Sequence, residues 1–139
     1  MTRAPALKFH SKKPRRRDDE AALQRAVVQH LMLRAAPNVL WFKITNEGKR
    51  SLAMGAEMKR QGLRPGAADL ALVIKGRAYF LELKKRGEKL SEPQQQFRLD
   101  SDRAGAIYAW ADNINSALEM LIFFGAFTRP AADAKQEAA

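Results

Sequence analysis

Residues 66–84 read GAADLALVIKGRAYFLELK, and the fold of the chain is predicted outward from this stretch. It contains two apolar runs, residues 67–74 and 77–83, which are separated by Lys75 and Gly76. Runs that are rich in β-branched and aromatic residues, on either side of a two-residue turn, are typical of a β-hairpin. The stretch therefore predicts two antiparallel strands joined by a tight turn.

This hairpin places two acids and a lysine together. With Ile74 opposite Arg77, Asp69 lies opposite Glu82, and their Cβ atoms are expected roughly 4.5–5.5 Å apart. Lys84 is one side-chain period further along the second strand, so it lies on the same face. Two carboxylates at such a distance repel each other unless a cation lies between them. Oxygen ligands of this kind suit a hard divalent cation, and a nearby lysine suits a phosphodiester substrate. The alternative is the polar outer face of a half-exposed strand.

A helix predicted from residue 18 to about residue 34 adds two candidates. Glu20 lies beside the apolar stripe of this helix and could reach Asp69 and Glu82, although an acid in a first turn also suits the helix dipole. Gln24, one turn later, either supports the site or covers the sheet.

A second helix, predicted over residues 92–103, supplies a glutamine. Gln94 shares a helix face with the apolar Phe97, so it is expected to point inward. From there it could hydrogen-bond Lys84 or a water that attacks the phosphodiester. The alternative is that Gln94 belongs to the ordinary polar surface of the helix.

Basic residues surround these candidates in the sequence. As a group they predict a cationic approach for phosphates, although any one of them alone could be a solvated loop charge. The predicted nucleic-acid-binding residues are Lys49, Arg50, Lys59, Arg60, Arg64, Lys85 and Arg86.

The remaining patterns complete a mixed α/β (α+β) fold in the order α-β-β-β-α-β-α, with helices flanking the sheet. Residues 46–65 are predicted to be a long basic loop. The other predicted elements are a strand over residues 39–44, a strand over residues 106–110 and a last helix that starts at Asn113 or Asn115 and ends near residue 123.

Composition narrows the classes of protein. The net charge is +10, which favours a polyanionic partner. The absence of cysteine excludes disulfides, zinc-thiolate sites and thiol nucleophiles. No apolar run approaches the roughly 18–20 residues that cross a bilayer, and no apolar signal segment follows the basic N-terminus, so a cytoplasmic location is expected.

Charge is unevenly distributed along the chain. Seven cations and no acid occur in residues 1–17. We therefore expect a basic, disordered arm over residues 1–17, a folded domain over residues 18–127 and a disordered tail over residues 128–139.

These motifs, taken in order, resemble the VRR-NUC branch of the PD-(D/E)XK nuclease superfamily. The resemblance covers residues 20–123. It rests on Glu20 with Gln24, Asn46-Glu47-Gly48, Arg64-Pro65-Gly66-Ala67-Ala68-Asp69-Leu70, Glu82-Leu83-Lys84, and Gly87-Glu88-Lys89-Leu90-Ser91 leading to Gln94 and Phe97. The sequence departs from the family where Ala68 replaces a proline that often precedes the aspartate; this loses a rigid turn but no ligand.

The resemblance implies a restriction-endonuclease-like fold and a DNA endonuclease that uses Mg²⁺, with Mn²⁺ as a substitute. It implies metal binding by Asp69, Glu82 and the Leu83 carbonyl, with Glu20 assisting, and it places Lys84 and Gln94 near the attacking water. Small members of the family resemble phage or bacterial enzymes that act on branched DNA, including Holliday junctions, as homodimers. No small-molecule cofactor is implied.

Other functions stay open at this point. A non-catalytic nucleic-acid-binding module with the same fold, or a basic protein of a ribonucleoprotein, would carry the same net charge. Among nucleases, junction resolution, flap cleavage and duplex nicking are alternatives. A symmetric junction requires a two-fold dimer. The apolar last helix, with Leu121, Ile122, Phe123 and Phe124, would supply either its interface or core packing.

Overall fold

The computed structural model of the protein describes residues 16–45 and 51–128. Eight elements follow one another along these residues: α1 Arg16–Arg34, β1 Val39–Lys43, α2 Leu52–Arg60, β2 Leu70–Ile74, β3 Arg77–Leu83, α3 Glu92–Arg103, β4 Ile107–Ala111 and α4 Ile114–Phe124. The predicted mixed α+β class and the predicted order of seven elements are confirmed. The additional element is the short helix α2, which lies between β1 and β2.

The four strands form one mixed sheet in the order β1-β2-β3-β4. Antiparallel pairing joins β1 to β2 and β2 to β3, whereas β3 and β4 are parallel. Ile74 pairs with Arg77 in the hairpin, as the sequence predicts. The turn residues Lys75 and Gly76 both have positive φ angles, 50° and 77°, which is the conformation of a type I′ turn and matches the twist of the strands.

Alternation along β3 gives the sheet two different faces. Tyr79, whose ring centroid lies 4.9 Å from that of Phe124 on α4, belongs to the face that α1 and α4 cover. This face holds the main core, which includes Val27, Leu31, Leu70, Leu72, Leu81 and Leu121, all 0% exposed. Phe80 belongs to the opposite face and packs against Phe97 on α3 at 5.0 Å between centroids. Glu82 shares the parity of Phe80, so it lies on the α3 face.

The prediction of a loop over residues 46–65 is wrong at Leu52–Arg60, which form the helix α2. Ser51 caps this helix, because its side chain accepts a hydrogen bond from the Met54 backbone at 3.2 Å. None of the residues of α2 is buried, so the helix does not pack an apolar face into the core. The serine cap was the usable signal.

Other differences concern element boundaries. The helix α1 begins at Arg16, two residues before the predicted start, and so overlaps the last two residues of the predicted arm. The rest of that arm, and residues 129–139, lie outside the described residues. Thr128 donates a backbone hydrogen bond to Arg34 at 2.8 Å. Of the two candidate caps of α4, Asn113 is the one that is used, since its side chain accepts from the Ser116 backbone at 2.9 Å.

Across the part of the chain that the structure describes, we find no helix of the length and apolarity that crossing a membrane requires.

Candidate active site at the open end of the hairpin

Asp69 and Glu82 lie at the end of the hairpin that is remote from its turn. Asp69 directly precedes β2, and its carboxylate accepts a hydrogen bond from the Leu83 backbone at 2.8 Å. This bond ties the aspartate to the strand that carries Glu82. The predicted opposition of the two acids therefore agrees with the observed register, which pairs Leu70 with Leu81 one position further into the hairpin.

Glu82 is a buried acid, with only 4% of its surface exposed. The pKa of Glu82 is raised to about 9, chiefly by burial and also by the negative charges of Asp69 and Glu20, whereas the charge of Lys84 acts in the opposite direction. One of its oxygens, Oε2, is buried without a hydrogen-bond partner among the described residues. A buried acceptor without a donor is costly, and such groups are concentrated at functional sites.

Gln94 connects the helix α3 to this acid. Its side-chain amide donates to Glu82 Oε1 at 2.8 Å, while its side-chain oxygen accepts from Lys84 Nζ at 3.2 Å. The same oxygen accepts from the Ser91 backbone at 2.8 Å, which completes a capping box at the start of α3. The cap therefore determines which end of the amide faces the acid.

Lys84 follows β3 directly and its side chain is largely buried, with 12% exposed. Besides Gln94, its ammonium has Glu88 Oε2 at 3.9 Å. Its backbone donates to Ala111 at the end of β4, at 2.8 Å. The lysine is thus held beside Glu82 and not directed into solvent.

Glu20 reaches the same region from α1. Its carboxylate accepts a hydrogen bond from the Lys85 backbone at 3.3 Å, and its charge contributes to the raised pKa of Glu82. Gln24, one turn along α1, is half-buried. The structure therefore brings Glu20, Asp69, Glu82, Lys84 and Gln94 to one end of the sheet. Their predicted catalytic roles stay predictions.

A divalent cation fits part of this arrangement. No group of three or more His, Cys, Asp and Glu side chains poised to hold a metal occurs within residues 16–45 and 51–128. Mg²⁺, however, is usually bound by one or two carboxylates and keeps several waters. Asp69 and Glu82 provide such a pair, and the unsatisfied Glu82 Oε2 is an acceptor that a cation would satisfy. The Leu83 carbonyl stays a predicted ligand.

The predicted phosphate-binding residues are more dispersed. Lys59 and Arg60 lie in the last turn of α2, where Arg60 pairs with Glu57 at 2.6 Å. Arg64 forms an ion pair with Asp100 on α3. The remaining predicted residues are Lys85, which is half-buried, Arg86, which is exposed, and Lys49 and Arg50, which lie outside the described residues.

The structure adds Tyr108, which the sequence did not single out, and a contact of Gly66, which in the sequence stood out only as part of the motif before Asp69. The Tyr108 hydroxyl on β4 is buried and finds no hydrogen-bond partner among the described residues. Burial, followed by the charges of Glu82 and Asp69, raises the pKa of Tyr108 above its ordinary value. Gly66 meets the first turn of α3. Neither the burial of the Tyr108 hydroxyl nor the contact of Gly66 had a local sequence signal, since both depend on how α3 packs on the sheet.

Comparison with known proteins agrees with this architecture. A solved structure described as "VRR_NUC domain protein" matches with a TM-score of 0.59 and 17% sequence identity, covering 74% of this chain and 84% of that one. Another, described as "VRR_NUC domain", matches with a TM-score of 0.51 and 19% identity, covering 75% of this chain and 94% of that one. No protein-family model matches the sequence, and neither does any curated protein. The chain has the VRR_NUC nuclease fold, and the resemblance seen in the sequence is confirmed at this level.

Proposed function

We propose that the protein is a metal-dependent endodeoxyribonuclease of the VRR-NUC type, which hydrolyses DNA phosphodiester bonds. The observation that carries this proposal is the buried Glu82, which accepts a hydrogen bond from Gln94 and is linked through Gln94 to Lys84. Its second oxygen has no donor among the described residues. A protein that only binds DNA has no need for a buried acid, because an acid repels phosphate and is costly to bury.

Asp69 and Glu82 would hold the cation, which is Mg²⁺ with Mn²⁺ as a substitute. The Leu83 carbonyl would be a third ligand, and Glu20 would assist. When bound, the cation supplies Lewis-acid polarisation of the phosphate and an activated water. Lys84 provides a positive charge that stabilises the negative charge developing on the phosphate in the transition state. Gln94 keeps the lysine beside Glu82 and is in a position to orient a water. The bond between Glu20 and the Lys85 backbone secures the end of β3 next to these groups.

The cations outside this site are suited to bind the DNA backbone. Lys59 and Arg60 on α2, together with Arg64, lie on the segment that leads into the site, and Lys85 and Arg86 lie on the segment that leads out of it. With Lys49 and Arg50 they would neutralise phosphates without reading sequence.

Branched DNA, with the Holliday junction as its symmetric case, is the substrate class that we propose. Cutting a symmetric junction on two strands requires two sites related by a two-fold axis, and hence a homodimer. Leu121 and Phe124 of α4 belong to the core, whereas Ile122 and Phe123 are 60% and 77% exposed. Only the latter two are therefore free to contribute to an interface between protomers.

Cleavage assays test this proposal directly. Labelled four-way junction, flap and linear duplex are incubated with Mg²⁺, Mn²⁺ or EDTA, beside Glu82→Ala and the matched control Glu119→Ala, which removes an exposed acid of α4. We expect metal-dependent cutting that only Glu82→Ala abolishes. DNA binding without cutting under every metal condition would favour the non-catalytic module, and an active Asp69→Ala enzyme would contradict the proposed site.

A further inference from the structure

Gly66 is unusual among the glycines of the described residues. Its φ angle is +78°, and a Cβ built on it would lie 2.3 Å from the Pro93 carbonyl carbon and oxygen and 2.6 Å from the Gln94 backbone nitrogen. Gly62, Gly76, Gly87, Gly105 and Gly125 also have positive φ angles, yet a Cβ at any of them would meet nothing within 4 Å. Gly66 is therefore needed for its conformation and also for the close approach of two backbones.

The two backbones in contact belong to separate parts of the candidate site. Gly66 is three residues before Asp69, whose carboxylate is bonded to the Leu83 backbone of β3. The peptide between Pro93 and Gln94 begins α3, and the Gln94 amide is bonded to Glu82 of β3. Asp69 and Gln94 are thus each hydrogen-bonded to β3. The contact at Gly66 joins the segment that precedes Asp69 to the first turn of α3, which carries Gln94.

We propose that Gly66 is a positioning residue that acts through Gln94. Its contact with the first turn of α3 sets the distance from which the Gln94 amide reaches Glu82 and Lys84. The obstacle to a larger residue is backbone and not the end of a flexible side chain, so an added Cβ displaces the start of α3. The link to catalysis rests on the proposed nuclease function, but the placement of Gln94 does not.

The matched pair of variants is Gly66→Ala and Gly105→Ala. Gly105 has a φ angle of +84° and open space around it, so its variant carries the same left-handed strain without the collision. The first readout is the side-chain amide resonance of Gln94 in an NMR spectrum, assigned with Gln94→Ala. We expect this resonance to shift in Gly66→Ala and to stay in place in Gly105→Ala. A folded Gly66→Ala protein with an unchanged resonance overturns the proposal.

The second readout is kinetic. Misplacement of a catalytic constellation by about 1 Å can cost on the order of 100-fold in rate, so we expect a loss of that order in kcat for Gly66→Ala, with unchanged DNA affinity measured in EDTA. In a Gln94→Ala background, Gly66→Ala is expected to cause no further loss. An equal further loss in that background would mean that Gly66 does not act through Gln94. If the wild-type protein does not cut DNA, the proposed function fails, while the NMR experiment still decides the role of Gly66.

A folding failure is also informative. Asparagine adopts positive φ angles more readily than alanine, so Gly66→Asn and Gly105→Asn repeat the comparison with less backbone strain and the same Cβ. If both Gly66 variants unfold while both Gly105 variants fold, the contact is required by the whole fold and not by the placement of Gln94, and the proposal is overturned.

Discussion

Glu82 determines how the candidate site responds to pH. In the folded protein its pKa is raised to about 9, from an ordinary value of 4.5, chiefly by burial. Between pH 4.5 and pH 9, the folded chain therefore keeps a proton on Glu82 that the unfolded chain has released. The contribution of Glu82 to the free energy of unfolding is therefore fully present below pH 4.5 and is lost as the pH rises toward 9.

The first prediction concerns Glu82→Gln, which keeps the shape of the side chain and removes its ionisation. We expect the decline in the free energy of unfolding between pH 5 and pH 9 to become shallower, and the variant to be more stable than wild type at pH 8 by about 1–3 kcal/mol. Urea denaturation in EDTA at several pH values measures this, with Glu119→Gln as the exposed control. Parallel pH profiles for wild type and Glu82→Gln would contradict it.

A second prediction at this scale concerns Lys84. Replacing it with methionine keeps an unbranched chain of similar length and removes the charge beside Glu82. Loss of one electrostatic stabiliser of a transition state costs about 10²–10³ in kcat, so we expect a loss of that size with unchanged DNA affinity in EDTA. Lys89→Met, which removes an exposed lysine nearby, is expected to retain kcat. A comparable loss in both variants would argue against a specific role for Lys84.

The elements of the fold connect local signals to the site. The helix α3 is the clearest case, because its capping box is built from Ser91 and the same Gln94 that bonds Glu82. Capping and site geometry are therefore coupled in one side chain: its oxygen accepts from both the Ser91 backbone and Lys84, while its nitrogen donates to Glu82.

Two variants separate these roles, which is the third prediction. Ser91→Ala removes the side-chain half of the cap and is expected to cost about 1 kcal/mol of stability while most of the activity remains. Gln94→Glu keeps an acceptor for the Ser91 backbone but loses the amide donor to Glu82, so we expect activity to be lost while the first turn of α3 keeps its hydrogen-exchange protection. Full activity in Gln94→Glu would contradict the role of this amide.

The hairpin turn allows a fourth prediction. Lys75 has a φ angle of 50°, a conformation that costs most residues energy but is tolerated by asparagine. Lys75→Asn is therefore expected to stabilise the protein by up to about 1 kcal/mol, measured as an increase in the urea midpoint. Since the turn lies at the other end of the hairpin from Asp69, kcat is expected to stay unchanged. A destabilised Lys75→Asn protein would mean that Lys75 makes a contact of its own.

At the scale of the whole molecule, the distribution of charge matters more than its sum. The net charge of +10 predicts a polyanionic partner but does not say where that partner binds. The proposed DNA surface contains α2, with Lys59 and Arg60 in its last turn. Lys75 and Arg103 are exposed cations at the turn of the hairpin and at the end of α3.

The fifth prediction compares these two pairs. Each phosphate contact adds about 0.9 to the slope of log K against log salt for duplex DNA. Replacing Lys59 and Arg60 by alanine is expected to lower that slope by roughly 2, whereas replacing Lys75 and Arg103 by alanine removes the same charge and leaves the slope unchanged. Fluorescence anisotropy at several salt concentrations gives both slopes. Equal reductions would indicate binding by net charge alone.

The sequence by itself determined the hairpin, its register and the opposition of Asp69 and Glu82, because strand alternation and a two-residue turn are local properties of neighbouring residues. It also predicted the helix that carries Gln94, through Ser91 and Pro93 at its start. Only the tertiary structure decided that Glu82 is buried, with one oxygen that has no hydrogen-bond partner within residues 16–45 and 51–128. It alone decided that Gln94 bonds both Glu82 and Lys84 and that Gly66 touches the start of α3. Those features arise where α3 packs on the sheet, and contacts between elements distant in sequence leave no period or spacing in the chain.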